Sequence, residues 1–236
     1  MKIILFILSF FDFFHKRKII NFFIKKNFNI NVFFDVGAHK GETIELFQKN
    51  FKIKNFYCFE PSNLNFIFLQ NQVLRMKKKN INIYNFAIGD ISGTANFKQF
   101  KESSSSTMSK INKDSNYYKK KMKILNLFSF DKSEYKEEIV KITTLKKFMD
   151  DNSISSIDIL KIDTEGYEFN VIKGAENKIR NVKFIYFEHH FDDMIIKNYT
   201  LTDIHNYLVQ NGFQKSFKAK MYFRKSFEYI YEKKNK

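Results

Sequence analysis

Behind the apolar run Val32-Phe33-Phe34 the chain reads Asp35-Val36-Gly37-Ala38-His39-Lys40-Gly41, a strand that ends in a carboxylate and turns through two glycines into a helix. Roughly 20 residues past that turn a second apolar run, Phe56-Tyr57-Cys58-Phe59, again ends in an acid, Glu60. Strand, glycine turn, helix and strand make a βαβ unit, which requires parallel strands joined by a covering helix. The alternation continues along the chain. Strands are expected at 31–36, 54–60, 81–87, 157–163 and 182–188, with helices near 40–50, 62–78, 167–178 and 201–210. Pro61-Ser62-Asn63 supplies the turn and cap for the second of these helices. A helical lead-in near 15–28 precedes the first strand. Two last strands, near 213–218 and 221–231, are joined by so short a turn that they must be antiparallel to each other. The expected fold is an α/β, doubly wound, mostly parallel seven-stranded sheet with an antiparallel C-terminal strand pair.

The turn selects among nucleoside ligands. A dinucleotide site would need G-x-G-x-x-G, whereas the spacing here is G-x-x-x-G with Asp35 in front of it. A carboxylate at that place repels a pyrophosphate and suits a ligand carrying an ammonium and a sulfonium, as S-adenosylmethionine does. In that reading Asp35 anchors the amino-acid end. The Gly37-Ala38 to Gly41 backbone lies along the methionine moiety, and Glu60 accepts both ribose hydroxyls. The plainer alternative is that Asp35 merely caps the helix that begins near Lys40.

With 236 residues the chain has the length of one domain, expected over 31–236 behind the lead-in at 1–30. Phe, Ile, Asn and Lys are heavily used and Trp is absent, so single Phe or Lys residues carry little information. The formal charge of +16 suggests anionic partners, but the lysines are spread along the chain, with short clusters at 16–18, 77–79 and 119–121 that read as solvated surface. One cysteine, Cys58, inside an apolar strand, fits a reducing, cytoplasmic setting. Ile3 to Phe14 is largely apolar, too short to span a bilayer, and followed by His15-Lys16-Arg17-Lys18 rather than a cleavage site. It reads as a helix covering one edge of the core, or as an interfacial helix over 2–26 meeting the inner membrane face. Residues 100–137 interrupt the rhythm and read as an inserted lid or a substrate-recognition segment.

Ligands of open parallel sheets bind outside the carboxyl ends of the strands. Asp35, Glu60, Asp90, Asp163 and Glu188 all lie at or just past such ends, although Asp and Glu total only 25. Asp90 is expected to accept from an adenine amino group, which leaves Asp163, Glu165, Glu188 and His189 for chemistry. Five segments then fall into one pattern: Asp35-Val36-Gly37-Ala38-x-x-Gly41, Phe59-Glu60-Pro61, Ala87-Ile88-Gly89-Asp90, Ile142-Thr143-Thr144-Leu145, and Lys161-Ile162-Asp163-Thr164-Glu165-Gly166-Tyr167-Glu168 followed by Gly174-Ala175. Together they resemble the FkbM-type S-adenosylmethionine-dependent methyltransferases. That resemblance implies a Rossmann-like class I methyltransferase sheet and O-methylation of a hydroxyl on a sugar, glycan or small natural product. His39 departs from it, since the family commonly has Asn there.

A hydroxyl needs a base or a metal to become a nucleophile. His189 is the first expected base and Asp163 the second. Alternatively Asp163, Glu165 and Glu188 hold a divalent ion, Mg²⁺ or Mn²⁺, that acidifies the acceptor. Lys161, two residues before Asp163, would steady an anionic acceptor or pair with Asp158 or another acid. Two rivals stand beside this reading. One is an RNA ribose O-methyltransferase, base methylation being disfavoured because the Pro-Pro motif it usually uses is absent and nucleic acid being an unlikely partner overall. The other is a basic peripheral membrane module without catalysis. Oligomeric state is not legible.

Overall fold

The computed structural model describes residues 2–100, 105–126, 135–221 and 225–234, with side chains from residue 14 onward and none at 124–126. The chain begins with helix α1 (Lys2–Lys26), then strand β1 (Ile30–Val36), helix α2 (Glu42–Asn50), β2 (Ile53–Phe59), α3 (Asn63–Met76) and β3 (Ile81–Tyr84). Next come β4 (Ala87–Gly89), β5 (Gly93–Phe100), β6 (Lys110–Ile111), α4 (Asn116–Asn126), β7 (Tyr135–Thr144), α5 (Leu145–Asp151), β8 (Ile157–Ile162) and α6 (Glu168–Lys173). A 3-10 turn at Glu176–Asn181 leads to β9 (Val182–His190), β10 (Ile195–Ile196), α7 (Leu201–Gln210), β11 (Phe213–Lys220) and β12 (Ser226–Lys233).

Seven strands form one sheet in the order β11-β12-β9-β8-β1-β2-β3. β1, β2, β3, β8 and β9 run parallel, and β12 enters antiparallel between β9 and β11. A mostly parallel seven-stranded sheet with an antiparallel C-terminal pair is what the sequence leads one to expect. Parallel strands are apolar on both faces because helices cover both, and two aromatic-rich layers result. One packs Phe34, Phe59, Leu160 and Phe187 against α5, α6 and α7; the other packs Phe33, Phe56, Ile159 and Phe184 against α1, α2 and α3.

One expectation changes and two gain detail. The third strand stops at Tyr84, and Ala87–Gly89 joins a separate sheet of order β4-β7-β5. Much of the 100–137 segment is regular structure: α4, the start of β7, and β6 paired with β10. Residues 101–104 and 127–134 of that segment lie outside the described residues. α1 is one helix from Lys2, and Ile19, Ile20 and Phe23 on its second half are buried in the core. The side chains of 2–13, on which an interfacial role would depend, lie outside the described residues. No helix among the described residues is long and apolar enough to cross a membrane.

Candidate active site

A cavity of about 270 Å³ opens over the carboxyl ends of β1, β2, β8 and β9. One wall is the turn after β1. Gly37 sits at φ +82, and a Cβ there would lie 1.9 Å from the Asp163 carbonyl oxygen. The glycine is therefore demanded by the backbone of the neighbouring strand end. Gly37 and Ala38 both donate their amides to the Phe59 carbonyl, at 3.0 Å each, which pins the turn against β2. Gly41, at φ +95, caps α2.

Glu60 faces the same cavity and is 4% exposed. Its two oxygens accept one amide each, from His39 at 2.8 Å and from Ser62 at 3.0 Å. Burial pushes its pKa up to about 7, against the pull of those amides. Glu42, in the first turn of α2, also lines the cavity. Burial works against its charge, but the His39 ring, 3.0 Å away, holds its pKa down to about 2.

Asp35 does not reach the cavity. Its carboxylate is wholly buried, 3.3 Å from Lys161 Nζ, and burial pushes its pKa up to about 6 despite that lysine. Strand register explains the placement, since Asp35 lies directly beside Lys161 on β8. Lys161 does line the cavity and also meets Asp163 Oδ2 at 3.3 Å. Burial alone would lower the ammonium's pKa, but Asp35 and Asp163 hold it above the ordinary lysine range. Asp158 is occupied elsewhere, accepting the amides of Asn31 at 2.7 Å and Val32 at 3.0 Å. Asp163 has a side chain 35% exposed on the cavity wall.

His189, expected as the base, points away from the cavity. It packs edge-on against Phe191, ring centroids 4.9 Å apart, and burial depresses its pKa to about 3. Successive residues of a strand face opposite sides. Glu188 and His190 therefore share the cavity side of β9, and that period was the available signal for His190, which the sequence reading missed. His190 Nε2 lies 3.3 Å from both Glu165 and Glu188, and Nδ1 lies 3.5 Å from Asp192. Burial would lower its pKa, but these acids, Glu165 foremost, push it up to about 10. It is a resident imidazolium that balances the acids. Glu188 lines the cavity, and burial with the nearby Asp163 charge pushes its pKa up to about 8.

Asp90 is likewise turned away. It accepts from Tyr167 at 3.2 Å and Asn170 at 2.8 Å, pairs with Lys173 at 3.3 Å, and is not part of the cavity lining. Gly89 and Gly174 explain why this motif is so tightly specified: a Cβ on Gly174 would stand 1.8 Å from the Gly89 carbonyl oxygen. Glu168 braces the turn after β8, accepting from the Gly166 amide at 2.8 Å and the Tyr199 hydroxyl at 2.6 Å. The expected metal set is not assembled: among the described residues no three His, Cys, Asp or Glu side chains are grouped as ligands.

The remaining lining was not foreseen. Phe97, Ser106 and Met108 come from β5 and the inserted segment, His15 and Lys16 from α1, Tyr186 from β9, Met221 from just past β11, and Glu228 from β12. Nothing in the local sequence of these residues marks them, since tertiary packing alone brings them together.

Residues 35–215 match the Methyltransferase FkbM domain. The chain belongs to that family. The fold agrees: a methyltransferase FkbM from Methylobacillus flagellatus KT superposes with a TM-score of 0.55 at 15% identity, covering 86% of this chain. This chain spans 44% of the length of that protein. Magnesium protoporphyrin IX methyltransferase from Synechocystis PCC 6803, solved with bound S-adenosylmethionine, has a TM-score of 0.52 at 10% identity over 93% of this chain and 78% of its own. An S-adenosylmethionine-dependent methyltransferase from Clostridium acetobutylicum also has 0.52, at 10% identity over 94% and 91%. No curated protein matches the sequence.

Proposed function

We propose that the cavity binds S-adenosylmethionine and that the protein methylates a hydroxyl oxygen of a sugar, glycan or small natural product. Glu60 carries the reading. A carboxylate offers about four acceptor positions; two take the His39 and Ser62 amides, the Asn65 side chain engages a third, and what is left suits a ribose hydroxyl. Phe59, Ala87, Ile88 and Phe97 give the cavity an apolar side that fits an adenine ring. Asp35 and Asp163 against one Lys161 leave an excess negative charge, which complements an ammonium and a sulfonium. Because Asp163 shares that lysine, its oxygens fit charge complementation better than proton removal.

S-adenosylmethionine, when bound, supplies a methyl group on cationic sulfur. The protein's task is to hold the acceptor oxygen in line and to take its proton. Oxygen as the target rests on the family resemblance and on the hydrogen-bonding character of Tyr186, Glu188 and Glu228 along the far wall. The test is incubation of the full chain with S-adenosylmethionine carrying a deuterated methyl group and with glycan, lipid and metabolite extracts. The expected product is a deuteromethyl ether. Label on nitrogen, or no label from a protein that binds S-adenosylhomocysteine, would contradict O-methylation.

A further inference from the structure

Two segments outside the family match, α1 and β12, meet inside the cavity wall. His15 Nε2 contacts Glu228 Oε2, while the Tyr186 hydroxyl donates to the other oxygen of Glu228. All three residues line the cavity, and His15 is 3% exposed. With both Glu228 oxygens engaged, Nε2 is the ring nitrogen held by the carboxylate and Nδ1 is the one left over. That Nδ1 is buried and has no hydrogen-bond partner among the described residues. A buried polar atom left without a partner is costly, and on a residue that lines a ligand cavity it marks a place for a polar group of the ligand.

The other histidines do not offer this. His189 and His190 are not in the lining, and His190 is held as an imidazolium by acids. The His39 ring bonds to Glu42 on the turn side, and His205 Nδ1 is 3.0 Å from the Tyr231 hydroxyl. A histidine backed by a carboxylate is the arrangement that orients a ring for proton transfer and stabilises the imidazolium that forms.

We propose that His15, oriented by Glu228, is the group that receives the acceptor's proton, so that helix α1 completes the active site. The inference rests on the O-methylation reading above. The acceptor O–H bond breaks and its proton goes to His15 Nδ1. The oxygen's electron pair forms the new bond to the methyl carbon, whose bond to sulfur breaks and leaves its electron pair on a neutral thioether. Glu228 neutralises the resulting imidazolium, which returns its proton to solvent after product leaves.

The experiment uses the full chain with ¹⁵N-labelled histidine and bound S-adenosylhomocysteine, His15→Gln serving to assign the ring. Proton–nitrogen spectra near neutral pH should show a neutral His15 ring protonated at Nε2, with that state altered in Glu228→Gln. A ring protonated on both nitrogens, or on Nδ1, overturns the proposal. In parallel, deuteromethyl transfer to a panel of methyl hexopyranosides should fall by about 10²–10⁴ in His15→Gln, the range for general-base catalysis, with S-adenosylhomocysteine affinity near wild type. Unchanged transfer in that variant also overturns it. If wild type is silent on this panel, the ring spectra decide. Failure of S-adenosylhomocysteine to bind wild type would instead remove the proposed function itself.

Discussion

At position 39 the backbone takes φ +49 while its amide reaches Glu60. Asn, Asp and His enter that left-handed region more readily than other side-chain-bearing residues. His39 therefore replaces the family's Asn on backbone grounds, and its ring is turned to Glu42. Gly37 makes the opposite point. The sequence puts the Gly37 backbone along the methionine moiety, yet a side chain there would first strike the Asp163 carbonyl. Gly37→Ala should destabilise the fold by about 1–3 kcal/mol or more, as strained backbone and overpacking do; a thermal unfolding midpoint equal to wild type would refute this. Glu60, Asp163 and Glu188 were legible because strand ends are legible. Asp35 and His189 were misplaced because a residue's position at a strand end does not say which neighbour or which face claims its side chain.

Element by element, the parallel strands could be read from continuous apolar runs such as Val32-Phe33-Phe34 and Ile157 to Ile162. The β4-β7-β5 sheet could not, because β5 and β7 are half-exposed, polar strands whose pairing spans a long insertion. Helix α1 was legible as helix but not as a wall of the site. Its buried residues recur as His15, Ile19, Ile20 and Phe23, and the Phe23 ring packs edge-on against Phe184 at 5.6 Å. Phe23→Ala should therefore cost about 3–5 kcal/mol, the range for emptying a buried aromatic position. Urea unfolding checks it; a loss under about 1 kcal/mol, typical of surface sites, would mean that α1 is not part of the core.

For the molecule as a whole, the +16 charge is carried mostly at the surface, as in the exposed Lys77-Lys78-Lys79 cluster, while the interior gathers acids. That interior sets the pH dependence. His190 binds its proton more tightly in the folded chain, at about 10 against 6.5, so the stability it contributes is complete below pH 6.5 and is lost as pH rises towards 10. Glu188, raised from 4.5 to about 8, loses its contribution over that lower interval. His189, lowered to about 3, acts in the opposite sense and disfavours folding as pH falls below 6.5. Unfolding free energy should therefore decline from pH 7 to 10, and Glu188→Gln should flatten the part below pH 8; a rise over that range would contradict the buried cluster. The account as a whole stands on the nucleoside pole of the cavity, and calorimetric titration of S-adenosylhomocysteine into wild type and Glu60→Ala tests it most directly. Saturable binding is predicted in wild type, weakened by about 1.5–3 kcal/mol in a folded Glu60→Ala, as expected for hydrogen bonds to a charged group. No binding to folded wild-type protein, or equal affinity in the variant, would contradict it.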